Sequence, residues 1–438
     1  MSSGDTNEMP ATKRPRTADD QPAPTTARGM PDADEHIRHE GMVVDKSVAI
    51  RDIMNREEPI VAGLYPHRMG KSMFLDLLAD FLAAVSNTPY SVRRARYEQY
   101  DIYQEDPEFF NSNMGRHVVF RLDLERLIGG EDVDVGAHDI AVVRERLRVH
   151  RRVVVRAFKR FDRLDNVKDP SWNDLFDICD MIPTLMEVFY LLFDCKAVAI
   201  VNGCDAPFLD TIQHTKDQRT RQELLEEYKG FFDGILEDNP HLHKGILAGV
   251  FDVRSTSMES VFNSIPTFLA HTGYTDNITN PFQRAFGFTV QDVWAVINQY
   301  VDQLWPARNS CTDVDEFKAR VFAGLLLQSD GYRIGAVHRI FCPFSVMTFL
   351  KQLDQATTDR ELAFDNQPSE QNELGYSDDT EAELVRICTV DSSGLIDELL
   401  RGERFSAATV VQVLYQTGYL APVAQHRMGI PSKATYDK

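Results

Sequence analysis

The chain has 438 residues, of which 43% are hydrophobic and 26% charged, and its formal net charge is −20. This length is enough for two domains with a buried sheet in one of them, and the composition is that of an ordinary soluble globular protein. The acidic balance argues against non-specific nucleic-acid binding as the main function, because phosphate contacts require concentrated Lys and Arg.

Two further absences narrow the class of protein. The six cysteines show no paired CxxC spacing, so the sequence predicts neither a zinc site nor a disulfide framework and favours a reducing compartment. The sequence has no run of about 18 apolar residues, the length of a membrane-spanning helix. Its first 40 residues also lack the apolar core of a signal peptide. We therefore expect an intracellular protein without a membrane-spanning segment.

Residues 1–36 are predicted to form a disordered tail, because they are rich in Ser, Thr, Pro, Asp and Ala and nearly free of large apolar side chains. The tail contains the basic cluster Lys13-Arg14-Pro15-Arg16. This cluster has two interpretations: a nuclear-import signal, or a basic tetrapeptide of the kind that disordered tails often contain. Nucleus and cytoplasm therefore both stay open as locations.

The region 41–285 is predicted to be an α/β domain built around a phosphate-binding loop. After a helix predicted over Asp45–Met54, the short apolar run Ile60–Leu64 predicts a buried strand. A turn then leads to Gly70-Lys71-Ser72 and to an apolar-periodic segment that continues to Val85. This order of strand, loop and helix is the context in which Gly-Lys-Ser binds phosphate.

Each residue of the loop has an expected role toward a bound nucleotide. The backbone N–H groups from Arg68 through Met69 to Gly70 would surround the phosphates at a helix N-terminus, and Arg68 would add positive charge. Lys71 would neutralise the β- and γ-phosphates, and the hydroxyl of Ser72 would bind Mg²⁺. ATP and Mg²⁺ are therefore the expected ligands.

Strands and helices alternate beyond the loop. Strands are predicted over 117–124, 196–201 and 244–251, and helices over 182–193 and 219–236. This alternation predicts a parallel sheet flanked by helices, the fold class of a P-loop NTPase. In 286–438 the strand pattern fades, and a mainly helical region is predicted, with an acidic loop near 364–383. Its helices are predicted over 289–301, 316–327, 343–353 and within 384–419.

One dense basic stretch stands out in this acidic protein, within a helical region predicted over 139–165. Eight Lys and Arg side chains lie from Arg144 to Arg160, among apolar residues at helical spacing. The stretch is either the solvated face of a helix or a contact surface for an acidic partner or nucleic acid.

The strand over 196–201 is in the right place to complete a hydrolytic site, and Asn202-Gly203-Cys204-Asp205 follows it. ATP turnover normally needs an acidic pair there, one residue for Mg²⁺ and one to activate the attacking water. The two positions directly after the strand carry no carboxylate. Asn202 is left as a partner of a metal-bound water, and Asp205 reaches the site only if the chain curls back.

Eight strings, in order between residues 41 and 432, together resemble the AAA-ATPase-like family of P-loop proteins. They are VVDKS at 43–47, YPHRMGKS at 65–72, NGCDAP at 202–207, LAGV at 247–250, FGFT at 286–289, DGYRIG at 330–335, FCPFSVMTFL at 341–350 and TGYL at 417–420. The family's loop lacks the first glycine of the common P-loop pattern. This chain is similar, because Tyr65 stands at that position. The resemblance implies a P-loop fold and nucleotide binding.

The departures from the family's pattern concern hydrolysis. The acidic pair of the family falls on Asn202 and Gly203, and a polar residue of the next strand falls on Ala248, so the resemblance implies a degenerate Walker B motif. Members often carry a C-terminal PD-(D/E)XK nuclease domain, which we expect to be missing here. A candidate stand-in for the nuclease motif is the E-x-K string Glu316-Phe317-Lys318. It lies in a predicted amphipathic helix without a preceding acidic strand, so a solvated helix face explains it better.

Three functions follow from these patterns. The first is a nucleotide-binding switch or scaffold, with a protein partner, whose hydrolysis is impaired or absent. The second is an active ATPase in which Asp205 or Asp252 supplies the missing carboxylate and Arg254 lies near the γ-phosphate. The third is a protein-interaction module with a relic loop, which would contact its partners through the 144–160 stretch and the C-terminal helices.

Overall fold

The computed structural model of the chain describes residues 44–84, 86, 88–125, 182–255, 260–270, 279–304, 313–329, 332–334, 337–355, 395–401, 406–424 and 427–429. Several sequence predictions lie outside the described residues. These are the tail 1–36 with its basic cluster, the basic helical region 139–165 and the acidic loop 364–383.

A five-stranded parallel sheet forms the centre of the protein and confirms the predicted fold class. Its strands are β1 Ile60–Leu64, β2 Val118–Asp123, β3 Ala197–Asn202, β4 Leu242–Gly249 and β5 Thr267–Leu269, in the spatial order β2-β3-β4-β1-β5. Strands β1 and β3 are buried along their whole length, because helices cover both faces of the sheet. The sequence did not predict β5, which is only three residues long.

Eight described helices lie before or between the strands. They are α1 Val48–Met54, α2 Lys71–Leu82, α3 Tyr90–Tyr97, α4 Asp101–Glu105, α5 Pro107–Asn113, α6 Ile182–Phe193, α7 Ala206–His214 and α8 Gln218–Leu236. The alternating side chains of β3 divide them into two cores. Ala199 and Val201 pack with α6 and α8, whereas Val198 and Ile200 pack with α1 to α5. The predicted helices and strands around the sheet are therefore confirmed, with ends that differ by a few residues.

The C-terminal region is mainly helical, as predicted, and adds two short hairpins. Its described helices are α9 Val290–Leu304, α10 Val314–Ser329, α11 Pro343–Gln355, α12 Leu395–Arg401 and α13 Ala407–Gln416. The antiparallel hairpins pair β6 Tyr332–Ile334 with β7 Val337–Ile340, and β8 Ala421–Ala424 with β9 Arg427–Gly429.

A capping box starts α9. The backbone N–H of Thr289 donates to Asp292 Oδ2 at 2.7 Å, and the N–H of Asp292 donates to Thr289 Oγ1 at 3.2 Å. Asp292 also accepts a hydrogen bond from Lys46 Nζ at 2.6 Å. Val44, two residues before that lysine, packs into the core of α9, α10 and α11. The start of the described chain and the C-terminal region are thus packed together, and the predicted boundary at 285 stays a prediction.

Within the described ranges, none of the helices has both the length and the apolar character needed to cross a membrane.

Candidate functional site

The loop of residues 65–72 connects β1 to α2, as the sequence predicts, and two of its residues have left-handed backbone. Arg68 has φ 66° and Gly70 has φ 83°, directly before the helix starts at Lys71. Left-handed residues within a tight loop turn successive N–H groups toward one side, which makes an anion-binding concavity. A glycine adopts this conformation without strain, whereas Arg68 adopts it at a cost.

The loop has a run of unused hydrogen-bond donors. Within the part of the chain that the structure describes, none of the backbone N–H groups from His67 to Ser72 donates a hydrogen bond of normal length and angle. The first N–H groups of any helix lack an intrahelical partner, and here the loop residues His67 to Gly70 add theirs, so the run can bind an external acceptor. The positive end of the α2 dipole adds to the attraction for an anion.

Lys71 is buried inside this loop, with only 6% of its surface exposed. Its ammonium donates hydrogen bonds of 2.8 Å to the carbonyl oxygens of Tyr65 and Pro66. Burial lowers the pKa of Lys71, while the nearby carboxylates of Asp205 and Glu125 act in the opposite direction. Ser72 follows on the first turn of α2 and is exposed.

The C-terminal region packs against the outside of the loop. The Arg68 guanidinium lies 4.3 Å from the centre of the Phe344 ring, and the Arg68 carbonyl accepts a hydrogen bond from Cys342 Sγ at 3.4 Å. The carbonyl of Met69 accepts a bond from the N–H of Gly287 at 2.8 Å. Because the Met69 side chain is buried, only its backbone N–H remains for a ligand.

An aromatic cluster holds the first residue of the loop. The Tyr65 ring meets Phe286 edge-on, with ring centres 4.7 Å apart, and its hydroxyl donates to Asn280 Oδ1 at 3.0 Å. Phe286 also contacts Phe74 of α2 edge-on at 5.7 Å. Tyr65 therefore has a packing role at the position where many phosphate-binding loops have glycine.

A single line of register crosses the carboxyl edge of the sheet. Asp123 of β2 pairs with Asn202 of β3, Asn202 pairs with Ala248 of β4, and Ala248 pairs with Gly63 of β1. Two strand spacings, or about 10 Å, separate β1 from β3 along this line. The strand order thus brings the ends of β2 and β3 to the same edge as the loop, where open α/β sheets bind ligands.

Asn202 contacts two carboxylates and leaves one polar atom unsatisfied. Its Nδ2 donates to Asp123 Oδ1 at 3.3 Å and to Glu125 Oε2 at 3.4 Å. Because carboxylates only accept hydrogen bonds, this pairing fixes the orientation of the amide. Oδ1 of Asn202 is then buried without a hydrogen-bond partner, which costs free energy unless a water or another donor binds there.

Asp123 and Glu125 are acidic residues that the sequence reasoning missed. They lie at the end of β2, and their proximity to Asn202 follows from the pairing of β2 with β3. Glu125 retains exposed surface, yet burial raises the pKa of its carboxyl group and the charge of Lys71 partly offsets this rise. The signal in the sequence was the end of the string HVVFRLDLE, because parallel strands end at a common edge.

The chain does curl back after β3 and places Asp205 near Lys71, but Asp205 has other partners. Its Oδ2 accepts hydrogen bonds from the N–H groups of Val250 at 3.1 Å and Phe251 at 2.9 Å. The residue is 3% exposed. Asp205 therefore holds the end of β4 beside the start of α7, and its predicted catalytic role stays a prediction.

Asp252 and Arg254 pair with each other. Arg254 Nη2 lies 2.6 Å from Asp252 Oδ2, and Arg254 Nε lies 3.0 Å from Asp252 Oδ1, which is a bidentate ion pair. Asp252 is 1% exposed, and its N–H donates to Gln416 Oε1 of α13 at 3.1 Å. These contacts give both side chains a structural role between β4 and the C-terminal region.

The described residues fit Mg²⁺ held together with phosphates. Among them there is no group of three or more His, Cys, Asp or Glu residues that could hold a metal alone. A nucleotide site does not need one, because Mg²⁺ keeps several waters and takes other ligands from the phosphates. The hydroxyl of Ser72 and the unpartnered Oδ1 of Asn202 are suitable oxygens, the second through a water.

Comparison with known proteins gives one match. A family model named AAA-ATPase_like and described as "Predicted AAA-ATPase" matches residues 29–259, which are 231 of the 438 residues. The matched segment contains the 65–72 loop and strands β1 to β4. Neither the curated proteins nor the solved structures give a match.

Proposed function

Because the chain belongs to the AAA-ATPase-like family, we propose that it binds a nucleoside triphosphate, ATP in the first instance, together with Mg²⁺ at the 65–72 loop. The run of N–H groups from His67 to Ser72 that donate no hydrogen bond of normal geometry is the observation that carries this proposal. Phosphate oxygens are the acceptors that such a run binds best, since they are charged and can accept several hydrogen bonds at once.

Lys71 and Ser72 have separate roles toward the phosphates and Mg²⁺. The Lys71 ammonium, which now donates to two loop carbonyls, would donate instead to oxygens of the β- and γ-phosphates, and the Ser72 hydroxyl would hold Mg²⁺. Bound Mg²⁺ would offset the negative charge of the phosphates. Asn202 would accept a hydrogen bond from a metal-bound water through Oδ1, which satisfies that buried atom.

We further propose that hydrolysis is impaired, so that the protein acts mainly through its nucleotide-bound state as a switch or scaffold. Positions 202 and 203, where the family's pattern has its acidic pair, are Asn and Gly. The loss of a general base typically lowers a rate by a factor of about 10² to 10⁴ while nucleotide binding is kept. Asp205 and Asp252, the alternatives for an active ATPase, already have protein partners.

Isothermal titration of the full chain with Mg-ATP and Mg-GTP tests the binding proposal. Lys71→Met keeps the buried aliphatic stem but removes the charge, and we expect it to weaken ATP binding about 10- to 100-fold. Lys318→Ala, which changes a lysine of α10, is the matched control and should bind as the native chain does. The native chain binding no nucleotide would contradict the proposal and favour an interaction module with a relic loop.

A further inference from the structure

Glu125 and position 203 compete for the same space. A Cβ atom built on Gly203 would lie 2.5 Å from Cγ of Glu125, closer than real Cβ contacts, and 3.1 Å from the Glu125 backbone nitrogen, which is a tight contact. Gly203 also has φ 67°, a conformation that other residues adopt only with strain. Glycine at 203 is therefore what allows the Glu125 side chain to cross the end of β3.

Gly203 lies at a position where the family's pattern has a carboxylate. Residue 203 follows Asn202, and in the family's pattern one residue of the acidic pair falls on it. The side chain of Glu125 fills the space into which a side chain at 203 would extend. A carboxylate is thus present close to the place where the sequence of β3 lacks one, and it comes from the end of the neighbouring strand β2.

The surroundings of the Glu125 carboxylate are those of the nucleotide edge of the sheet. Its Oε2 lies 3.4 Å from Nδ2 of Asn202, and it interacts electrostatically with Lys71 of the loop. Glu125 keeps exposed surface, so water has access to it, whereas Asp205 and Asp252 are buried and hydrogen-bonded by the protein. Of these three carboxylates, Glu125 is the one suited to contact an attacking water.

We propose that Glu125 is the catalytic base for the slow hydrolysis that remains in this chain. This inference rests on the proposed function, since it requires a nucleoside triphosphate at the 65–72 loop. A water oxygen forms a bond to the γ-phosphorus, and the bond from that phosphorus to the β–γ bridging oxygen breaks. The Glu125 carboxylate takes the proton from the water, so that ATP and water give ADP and inorganic phosphate.

Asn202 would position this base. Its amide donates to Glu125 and carries no charge, so it holds the carboxylate without the repulsion that an aspartate at position 202 would add. The long Nδ2 to Oε2 distance makes this a weak hydrogen bond, and a weakly held base is consistent with slow turnover.

Single-turnover hydrolysis of γ-labelled ATP by the full chain tests the inference, with binding of a non-hydrolysable ATP analogue measured in parallel. Glu125→Gln keeps the size and removes the base, and we expect a rate about 10²-fold lower with unchanged analogue affinity. Protein-bound nucleotide recovered after incubation should then remain ATP. Glu237→Gln, an exposed glutamate that follows α8 before β4, is the matched control and should match the native rate.

Gly203→Ala provides a second variant, because its methyl group would displace the Glu125 side chain. It should slow hydrolysis while leaving analogue affinity within a few-fold of native. A Glu125→Gln variant that hydrolyses at the native rate would overturn the inference, as would a native chain that binds ATP but hydrolyses no faster than Lys71→Met. A native chain that binds no nucleotide would instead overturn the proposed function, and the inference with it.

Discussion

Lys71 Nζ lies 2.8 Å from the carbonyl oxygen of Pro66, so the loop closes around its own lysine. A second bond of the same length to Tyr65 ties the ammonium to the residue that follows β1. Phosphate binding at the loop must exchange these two bonds for bonds to phosphate oxygens. The exchange is favourable because a charged acceptor forms a stronger hydrogen bond with an ammonium than a neutral carbonyl does.

The buried carboxylate of Asp205 should matter for stability and not for turnover. Asp205→Ala removes the acceptor of the Val250 and Phe251 N–H groups, and each orphaned buried donor costs about 1–3 kcal/mol. Asp205→Asn keeps an oxygen in place and should lose less. Urea denaturation would measure both effects.

Turnover separates the two roles of Asp205. We expect Asp205→Asn to hydrolyse ATP within a few-fold of the native rate, with Asp315→Asn, an exposed aspartate of α10, as the matched control. A stable Asp205→Asn protein that binds ATP but has lost hydrolysis would assign the catalytic carboxylate to Asp205 and contradict our assignment.

The Asp252–Arg254 pair should likewise contribute to stability. Arg254→Ala leaves the Asp252 carboxylate buried without its bidentate partner, and we expect a loss of about 1–3 kcal/mol in the free energy of unfolding. Adding Asp252→Asn should recover part of this loss, since it removes the uncompensated charge. A normal stability for Arg254→Ala with a large drop in ATP hydrolysis would instead support a role at the γ-phosphate.

The left-handed backbone of Arg68 predicts a difference in stability between the variants Arg68→Ala and Arg68→Gly. Arg68→Ala and Arg68→Gly both remove the contact with the Phe344 ring, but only glycine adopts φ 66° without strain. We expect Arg68→Gly to be more stable than Arg68→Ala by up to about 1 kcal/mol, because the relief of strain exceeds the greater freedom of glycine in the unfolded chain. Urea denaturation of both variants under identical conditions checks this order, and equal stabilities would contradict it.

A stacked histidine pair should make the protein less stable in mild acid. The rings of His117 and His243 lie 5.0 Å apart, and His117 Nε2 lies 3.3 Å from Asn113 Oδ1. Burial and the neighbouring His243 lower the pKa of His117 to about 4. Burial, then Lys244 and Lys196, lower the pKa of His243. Protonation therefore favours the unfolded chain.

The sign of the effect sets the pH window. The contribution of His117 to stability is fully present above its unfolded pKa of about 6.5 and is lost progressively as the pH falls toward about 4. Between pH 7.5 and pH 5, the melting temperature should thus decrease more for the native chain than for His117→Gln. The carboxylates titrate in the same way in both proteins. An identical decrease of the melting temperature in both would therefore contradict the role assigned to His117.

The sequence was enough to predict four of the five strands of the central sheet, and the two with the clearest pattern are continuous apolar runs. The runs that became β1 and β3 are buried on both faces, and such strands have a strong local signal. Strand β5 has three residues and no periodicity to detect, and the two C-terminal hairpins are equally short. Their formation depends on packing against other elements, which no local pattern reports.

Only the part of the candidate site that is formed by contiguous residues could be predicted from the sequence. The roles proposed for Lys71 and Ser72 rest on contiguous residues, so the motif alone suggested them. Glu125 became a candidate only once β2 was placed beside β3, 77 positions from Asn202 along the chain. The residues at the end of one strand therefore do not show which carboxylates lie near the site until the neighbouring strand is placed.

The most direct test of nucleotide binding at the loop is a crystal structure of the chain with Mg²⁺ and a non-hydrolysable ATP analogue. Our account predicts β- and γ-phosphates against the N–H groups from His67 to Ser72, with Lys71 Nζ moved from the carbonyls of Tyr65 and Pro66 onto phosphate oxygens. Analogue bound elsewhere, or no analogue at a concentration well above its measured affinity, with Lys71 still on those carbonyls, would contradict it.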